Sequence, residues 1–376
     1  MALLPKKNFS GIDISEIRKM NALAKADTIN LGIGQLPNNL PTEVKNRGID
    51  GFNNGITRYT SNQGMVELRE EIAKYHSKKT GKEISPDQVV ITNGAEGALW
   101  NILYTYLEPD DEVLIPEIAF SVYETIPKLQ GAKCVRYNLH NVETKITDKT
   151  KFIIINSPCN PTGEIISIKD LQNLCDLAQK YDFYIISDEI YSELYFDGLE
   201  PASAYTYSDR VIIVDGISKR AAATGLRIGW TVSLESITKP MVVANQYIAT
   251  CAPSISQYAA ISSLNGESDN FLKEIREDLQ EKRDYAYSIL SSIPGVEVSK
   301  SRGSFYIFPN ISKFGDSRLI AKRILDEENV LTIPGIAFGP QGDSYIRISF
   351  AVEMNKLKEA LEKIASLLNN WSKYES

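Results

Sequence analysis

The chain has 376 residues, of which 43% are hydrophobic and 24% charged, with a formal net charge of −7 and a pI near 5.2. That length exceeds what one ordinary core takes up and points to a larger and a smaller domain. The acidic balance excludes a binder of nucleic acid or anionic membrane, which needs a basic surplus to neutralise phosphates; a small phosphorylated ligand needs only one or two cations.

In chain order, residues 11–26 read as an amphipathic helix. Residues 65–78 read as another, with Leu68, Ile72 and Tyr75 at i, i+4 and i+7 among charges. An apolar run over 89–92 ends at Asn93-Gly94, and a helix over 95–107 follows at once. Strand and helix then alternate: strand 112–116, helix 122–129, strands 133–137 and 152–156, helix 168–181, strands 183–187, 211–215 and 228–233. The runs Phe-Ile-Ile-Ile-Asn, Phe-Tyr-Ile-Ile-Ser and Val-Ile-Ile-Val-Asp are continuous and β-branched. Strands covered on both faces look like that. The expected fold is α/β: a large domain with a mainly parallel seven-stranded sheet covered by helices. A charged helix over 268–292, strands 304–309, 330–333 and 344–350, and a helix over 356–370 make a smaller α+β domain. The expected division is an N-terminal segment, 1–40, packing with the small domain, then 41–265 as the large domain and 266–376 as the small one.

No apolar run approaches the ~18 residues of a membrane span, and the start, MALLPKKNFS, carries no long apolar stretch. The expected location is the cytoplasm. Cys134, Cys159, Cys175 and Cys251 are scattered without a CxxC pair, so reduced thiols are expected and not a disulfide framework or zinc site. His76 and His140 are the only histidines, and neither sits in a motif; no metal site is expected.

In open parallel sheets, ligands sit at the carboxyl ends of the strands, and most polar residues of interest fall there. Lys219, in Asp215-Gly-Ile-Ser-Lys, follows a buried strand; a lysine that loses hydration there offers a neutral amine for imine chemistry. Ser218 and Arg227 bracket it nine residues apart and can both turn to a phosphate. Gly94-Ala95 opens a helix whose free N–H groups attract an anion, although a plain helix start reads the same way. Asp188, with Tyr191 three residues on, could serve a protonated ring nitrogen or cap a helix. Asn160 lies in the turn Asn-Pro-Thr-Gly. Arg347 is a charge on an apolar strand and needs a partner, either a substrate carboxylate or an internal acid.

Taken together, Asn-Pro-Thr-Gly, Ser-Asp-Glu-Ile-Tyr and Ser-Lys…Thr-Gly-Leu-Arg-Ile-Gly-Trp resemble the class I/II aminotransferases of pyridoxal-phosphate fold type I. The spacings agree: Asn160 to Asp188 is 28 residues and Asp188 to Lys219 is 31. The resemblance runs over nearly the whole chain, through Leu31-Gly-Ile-Gly34, Tyr59-Thr-Ser-Asn-Gln-Gly64, Thr92-Asn-Gly-Ala95, Gly303-Ser-Phe-Tyr306, Pro334-Gly335, Phe338-Gly339 and Tyr345-Ile-Arg347-Ile-Ser. It implies pyridoxal 5'-phosphate as cofactor. It implies Lys219 as the Schiff-base lysine and proton carrier, Asp188 as partner of the ring nitrogen, Asn160 and Tyr191 as ligands of the ring oxygen, and Phe120 on the ring face. It implies phosphate contacts from Gly94, Ala95, Glu96, Ser218 and Arg227. Arg347, with Gly34 and Asn160, would take the substrate α-carboxylate. Tyr59 would reach the phosphate of a neighbouring subunit in a homodimer.

The sequence departs from the family at Gly-Ile-Gly-Gln-Leu-Pro after Leu31, at the short stretch 137–151, and at Leu226, where a bulky aromatic is common. The implied reaction is ping-pong transamination between an L-amino acid and a 2-oxo acid. Ile118, Ala119 and Phe120 make one wall apolar, and no second arginine for a distal carboxylate is evident, which favours neutral or aromatic donors over aspartate. Arg18, Arg58 or Arg302 could still enter the site. The alternatives are a C–S β-lyase using the same residues and a non-enzymatic ligand-binding module.

Overall fold

The structure, a computed structural model, describes residues 3–371. Residues 1 and 2 of the expected N-terminal segment and residues 372–376 of the expected small domain lie outside the described residues. Seven strands build the large sheet: β2 (Val89–Asn93), β3 (Glu112–Pro116), β4 (Lys133–Tyr137), β5 (Thr150–Asn156), β6 (Tyr184–Asp188), β7 (Val211–Gly216) and β8 (Ile228–Val232). They follow the short β1 (Ile29–Asn30), which pairs elsewhere. Their order is β2-β8-β7-β6-β5-β3-β4, and β8 is the one strand that runs against its neighbours. The pleat explains the apolar runs. In β5, Ile153 and Ile155 enter one core with Leu68, Leu174 and Trp230, while Phe152 and Ile154 enter the other with Ile102 and Met241. Each such side chain contributes about 1.5–3 kcal/mol on burial, so an alternating polar residue would cost either core.

The smaller part contains β9 (Tyr306–Ile307), β10 (Val330–Leu331), β11 (Ile333–Pro334) and β12 (Ile346–Ser349). β10 pairs in parallel with β1, and β12 lies antiparallel between β11 and β9. The helices Asp269–Ser291, Ser317–Glu328 and Met354–Asn369 cover them. Leu272, Ile324, Ile348 and Leu361 form this core, and Met20, Ile29 and Leu31 from the N-terminal segment join it.

Several elements differ from expectation. The first helix is confined to Glu16–Asn21, because Ser15 accepts from the Arg18 amide at 3.3 Å and caps it there. The expected strand 304–309 pairs only over Tyr306–Ile307, and 330–333 splits between two sheets. The helices Thr42–Asn53, Glu235–Ala249 and Ser317–Glu328 were not marked by periodicity. In Glu235–Ala249 the reason is visible: Val243 and Tyr247 are exposed on its outer side, so apolar residues fall off the buried stripe.

Candidate active site

The carboxyl ends of β5, β6 and β7 meet the start of the helix Gly94–Tyr106 at one edge of the large sheet. Asn156 closes β5 beside Asp188 at the end of β6. β7 ends at Gly216 and turns into the short helix Ile217–Arg220, which carries Ser218 and Lys219. Because β8 is antiparallel, its first residues lie at this same edge, Ile228 opposite Asn93 and Gly229 opposite Gly216. Arg227 therefore arrives here directly. Gly229 lets it: a Cβ on Gly229 would stand 2.3 Å from the Gly94 carbonyl carbon.

A cavity of about 890 Å³ opens at this edge. At one end it is lined by Ala95, Glu96, Ser218 and Arg227. Gly94 lies beneath them at φ +79°, and a Cβ there would come within 2.7 Å of Arg227 Nη2, so glycine lets the guanidinium rest against the helix start. The first amides of that helix have no intrahelical acceptors. Amides, hydroxyl and guanidinium together suit a dianionic phosphate.

Phe120, Asn160, Asp188, Tyr191 and Lys219 line the middle. Asp188 is buried and accepts from the Tyr123 hydroxyl at 2.7 Å and from the Ile190 amide at 3.2 Å. No helix begins after it, so the helix-cap alternative is set aside. Burial pushes its carboxyl up to about 6. Lys219 donates to the Gly34 carbonyl and faces the rings of Tyr191 and Phe305 at 5.7 and 5.5 Å. Burial, then Arg347 and Arg227, bring its amine down to about 8, against a pull upward from Asp188.

Gly34 and Arg347 line the far end. Arg347 is buried and donates to Asn160 Oδ1 at 2.9 Å and to the Gly32 carbonyl at 2.6 Å, while its Nε has no hydrogen-bond partner. Its ring neighbours are Tyr306 at 4.3 Å and Phe338 at 5.1 Å. Among the described residues it forms no ion pair, so the internal salt bridge weighed from sequence is not the arrangement here. A buried guanidinium facing a cavity without a counter-charge is a site for an anion. Tyr59 is not in this cavity; it is 86% exposed and lines a second one with Arg58, Asn93 and Pro253. Arg18 lines the main cavity, and Arg302 lines neither.

Sequence reasoning assigned no role to four residues. Tyr123 holds Asp188; it lies three residues after Phe120, a spacing that could have pointed to it. Asn156 donates to the Asp188 carbonyl at 2.9 Å and accepts from the Asn160 amide at 2.8 Å, joining two strand ends. Tyr306 stacks on Arg347, and its hydroxyl lies 3.2 Å from that of Tyr191. The Gly32 carbonyl is a backbone group and leaves no trace in residue type.

Residues 26–364 match the family model of aminotransferase class I and II. The chain belongs to the class I and II aminotransferases. It is 36% identical to the aspartate aminotransferase of Pyrococcus abyssi, over 95% of this chain and 96% of that one. It is 34% identical to aromatic-amino-acid aminotransferase 2 of Thermococcus litoralis, with the same coverage. Among solved structures, the aspartate aminotransferase from Rhizobium meliloti superposes with a TM-score of 0.93 at 29% identity, covering 98% of this chain and 100% of that one. The protein is thus a pyridoxal-phosphate-dependent aminotransferase acting on amino acids and 2-oxo acids. The cavity fits that cofactor: it is lined by an anion cradle, by a buried carboxylate for a ring nitrogen and by a lysine amine. No helix among the described residues is long and apolar enough to cross a membrane.

Proposed function

We propose that this aminotransferase takes the amino group of a neutral or aromatic L-amino acid and passes it to a 2-oxo acid. The observation that supports this reading is the lining of the cavity, where Ile17, Ile33, Trp100, Val122 and Tyr306 add aromatic and aliphatic surface beside the polar Asp13, Arg18, Asn21 and Gln35. The named relatives include an enzyme of aromatic amino acids.

In this reading each residue has one task. Arg347, which lines the cavity with no acid bonded to it, takes the α-carboxylate through its guanidinium. Ala95, Glu96, Ser218 and Arg227 hold the phosphate, and Phe120 covers the ring face. Asn160 and Tyr191 hold the ring oxygen. Bound there, the cofactor supplies an aldehyde carbon and a pyridinium ring that takes up the electrons left by the α-proton. Asp188 keeps the proton on the ring nitrogen. Lys219 Nζ, held partly neutral by burial, carries the α-proton across. The same reading keeps Tyr59 as a contact to the site of a second copy, the division near residue 265, and a cytoplasmic location. Its support for Tyr59 is that this tyrosine is exposed and near Asn93, next to the phosphate end.

Arg18 favours a second reading, a dicarboxylic donor: its guanidinium lines the cavity, and several relatives are named aspartate aminotransferases. A steady-state panel separates the two. kcat/KM should be larger for phenylalanine, tyrosine, leucine or methionine than for aspartate; a strong aspartate preference that Arg18→Ala abolishes would establish the second. Release of ammonia and pyruvate from cysteine S-conjugates without any 2-oxo acid would instead mark a β-lyase.

A further inference from the structure

We propose that Arg136 is a positioning residue for substrate binding: it ties the segment that carries Phe120 to the turn that carries Phe338, and so sets the distance from Phe120 to Arg347. The inference rests on the roles given above to Phe120 and Arg347. Arg136 lies on β4, the edge strand, yet its guanidinium bonds nothing in that strand. Nη1 points to the carbonyls of Glu117 at 2.8 Å, Pro116 at 3.3 Å and Phe338 at 3.4 Å, and Nη2 pairs with the Glu124 carboxylate.

The Phe338 carbonyl also accepts from the Ala119 amide at 2.8 Å, one residue before Phe120. Its ring is buried, 5.1 Å from the Arg347 guanidinium and 5.9 Å from the Phe308 ring. One carbonyl thus links the two walls of the cavity, and Arg136 holds it from behind. Gly339, at φ +127°, leaves room for this: a Cβ there would stand 2.4 Å from Arg136 Nη1 and 2.6 Å from the Glu117 carbonyl. The planar fork serves four acceptors in different directions, which a single ammonium does not do. Loss of the tie lets the two walls drift, and an ångström of misplacement at such a site is costly.

The test uses holoenzyme of the wild type, Arg136→Met, Arg136→Lys and, in parallel, Arg347→Lys. Calorimetry gives the Kd of unreactive carboxylates (3-phenylpropanoate, 4-methylpentanoate and succinate), and kinetics give KM and kcat. The cofactor's visible absorption and the melting temperature are recorded beside them. Arg136→Met should raise Kd and KM roughly tenfold, with kcat within about twofold and the absorption unchanged. Arg136→Lys should recover part of that loss. Unchanged Kd and KM overturn the proposal, and so does loss of cofactor absorption or of kcat at unchanged Kd. If Arg136→Met does not fold, Glu124→Gln must show a smaller rise in Kd; no rise overturns the idea. Should Arg347→Lys itself leave Kd unchanged, the reading of Arg347 fails; a rise there with none in Arg136→Met sinks the positioning role alone.

Discussion

Lys219 is a cation held where its charge is poorly solvated, and that has a measurable consequence for the cofactor-free protein. Its amine falls from 10.5 to about 8. Between those values the unfolded chain keeps more protons on this group than the folded one, so the stability it contributes rises with pH across that window. Below pH 8 the penalty is complete, about 3 kcal/mol. Lys219→Met should therefore be more stable than the wild type at pH 7 in chemical denaturation, and the gap should close by pH 10.5; a gap independent of pH would contradict this. Tyr123 acts on the other titrating group. Its hydroxyl is the side-chain donor to Asp188, and removing it raises that carboxyl further. Tyr123→Phe should weaken the hold on the ring proton and lower kcat/KM roughly tenfold, near 1.4 kcal/mol, with KM little changed.

At the scale of elements, the site depends on how closely β8 approaches the helix Gly94–Tyr106. Gly229 stands where a side chain would press on the Gly94 and Ala95 backbone, which cannot give way as a flexible side chain does. Gly229→Ala should cost at least about 1–3 kcal/mol as overpacking, seen as a lower melting temperature, and should weaken retention of the cofactor because Arg227 moves with β8. Gly34→Ala is the milder case. Its Cβ would meet a side chain and no backbone, standing 2.2 Å from the hydroxyl of the buried Tyr306. That substitution should keep the fold and raise KM, since Tyr306 stacks on Arg347. Equal losses of stability in both variants would argue against this account.

For the whole molecule, Tyr59, Tyr247 and Phe52 are exposed, and the proposed homodimer gives Tyr59 a test. If Tyr59 serves the other subunit's site, mixing Tyr59→Phe with Lys219→Ala chains should give more activity than the two variants contribute separately. In the hybrid, one site combines an intact Lys219 with an intact Tyr59. No recovery on mixing, with heterodimers shown to form, would place Tyr59 outside the neighbouring site.

The sequence alone settled the class of fold and most of the chemistry. The strands of the large sheet were readable because burial on both faces demands unbroken β-branched runs, a property of each segment by itself. Lys219, Asp188 and Asn160 stood out because each lies within four residues of the end of such a run. Tertiary structure decided what depends on partners distant along the chain. The antiparallel β8 sits between β2 and β7, a choice made by packing and not written in its own residues. Tyr123 finds Asp188 across 65 residues, and Arg136 reaches Phe338 across 202. Arg347 turned out to have a carbonyl and an amide for partners where an acid was possible. Such pairings are fixed by the shape of the folded core, because a side chain's type states what it can bond and only the assembled backbone states what it meets.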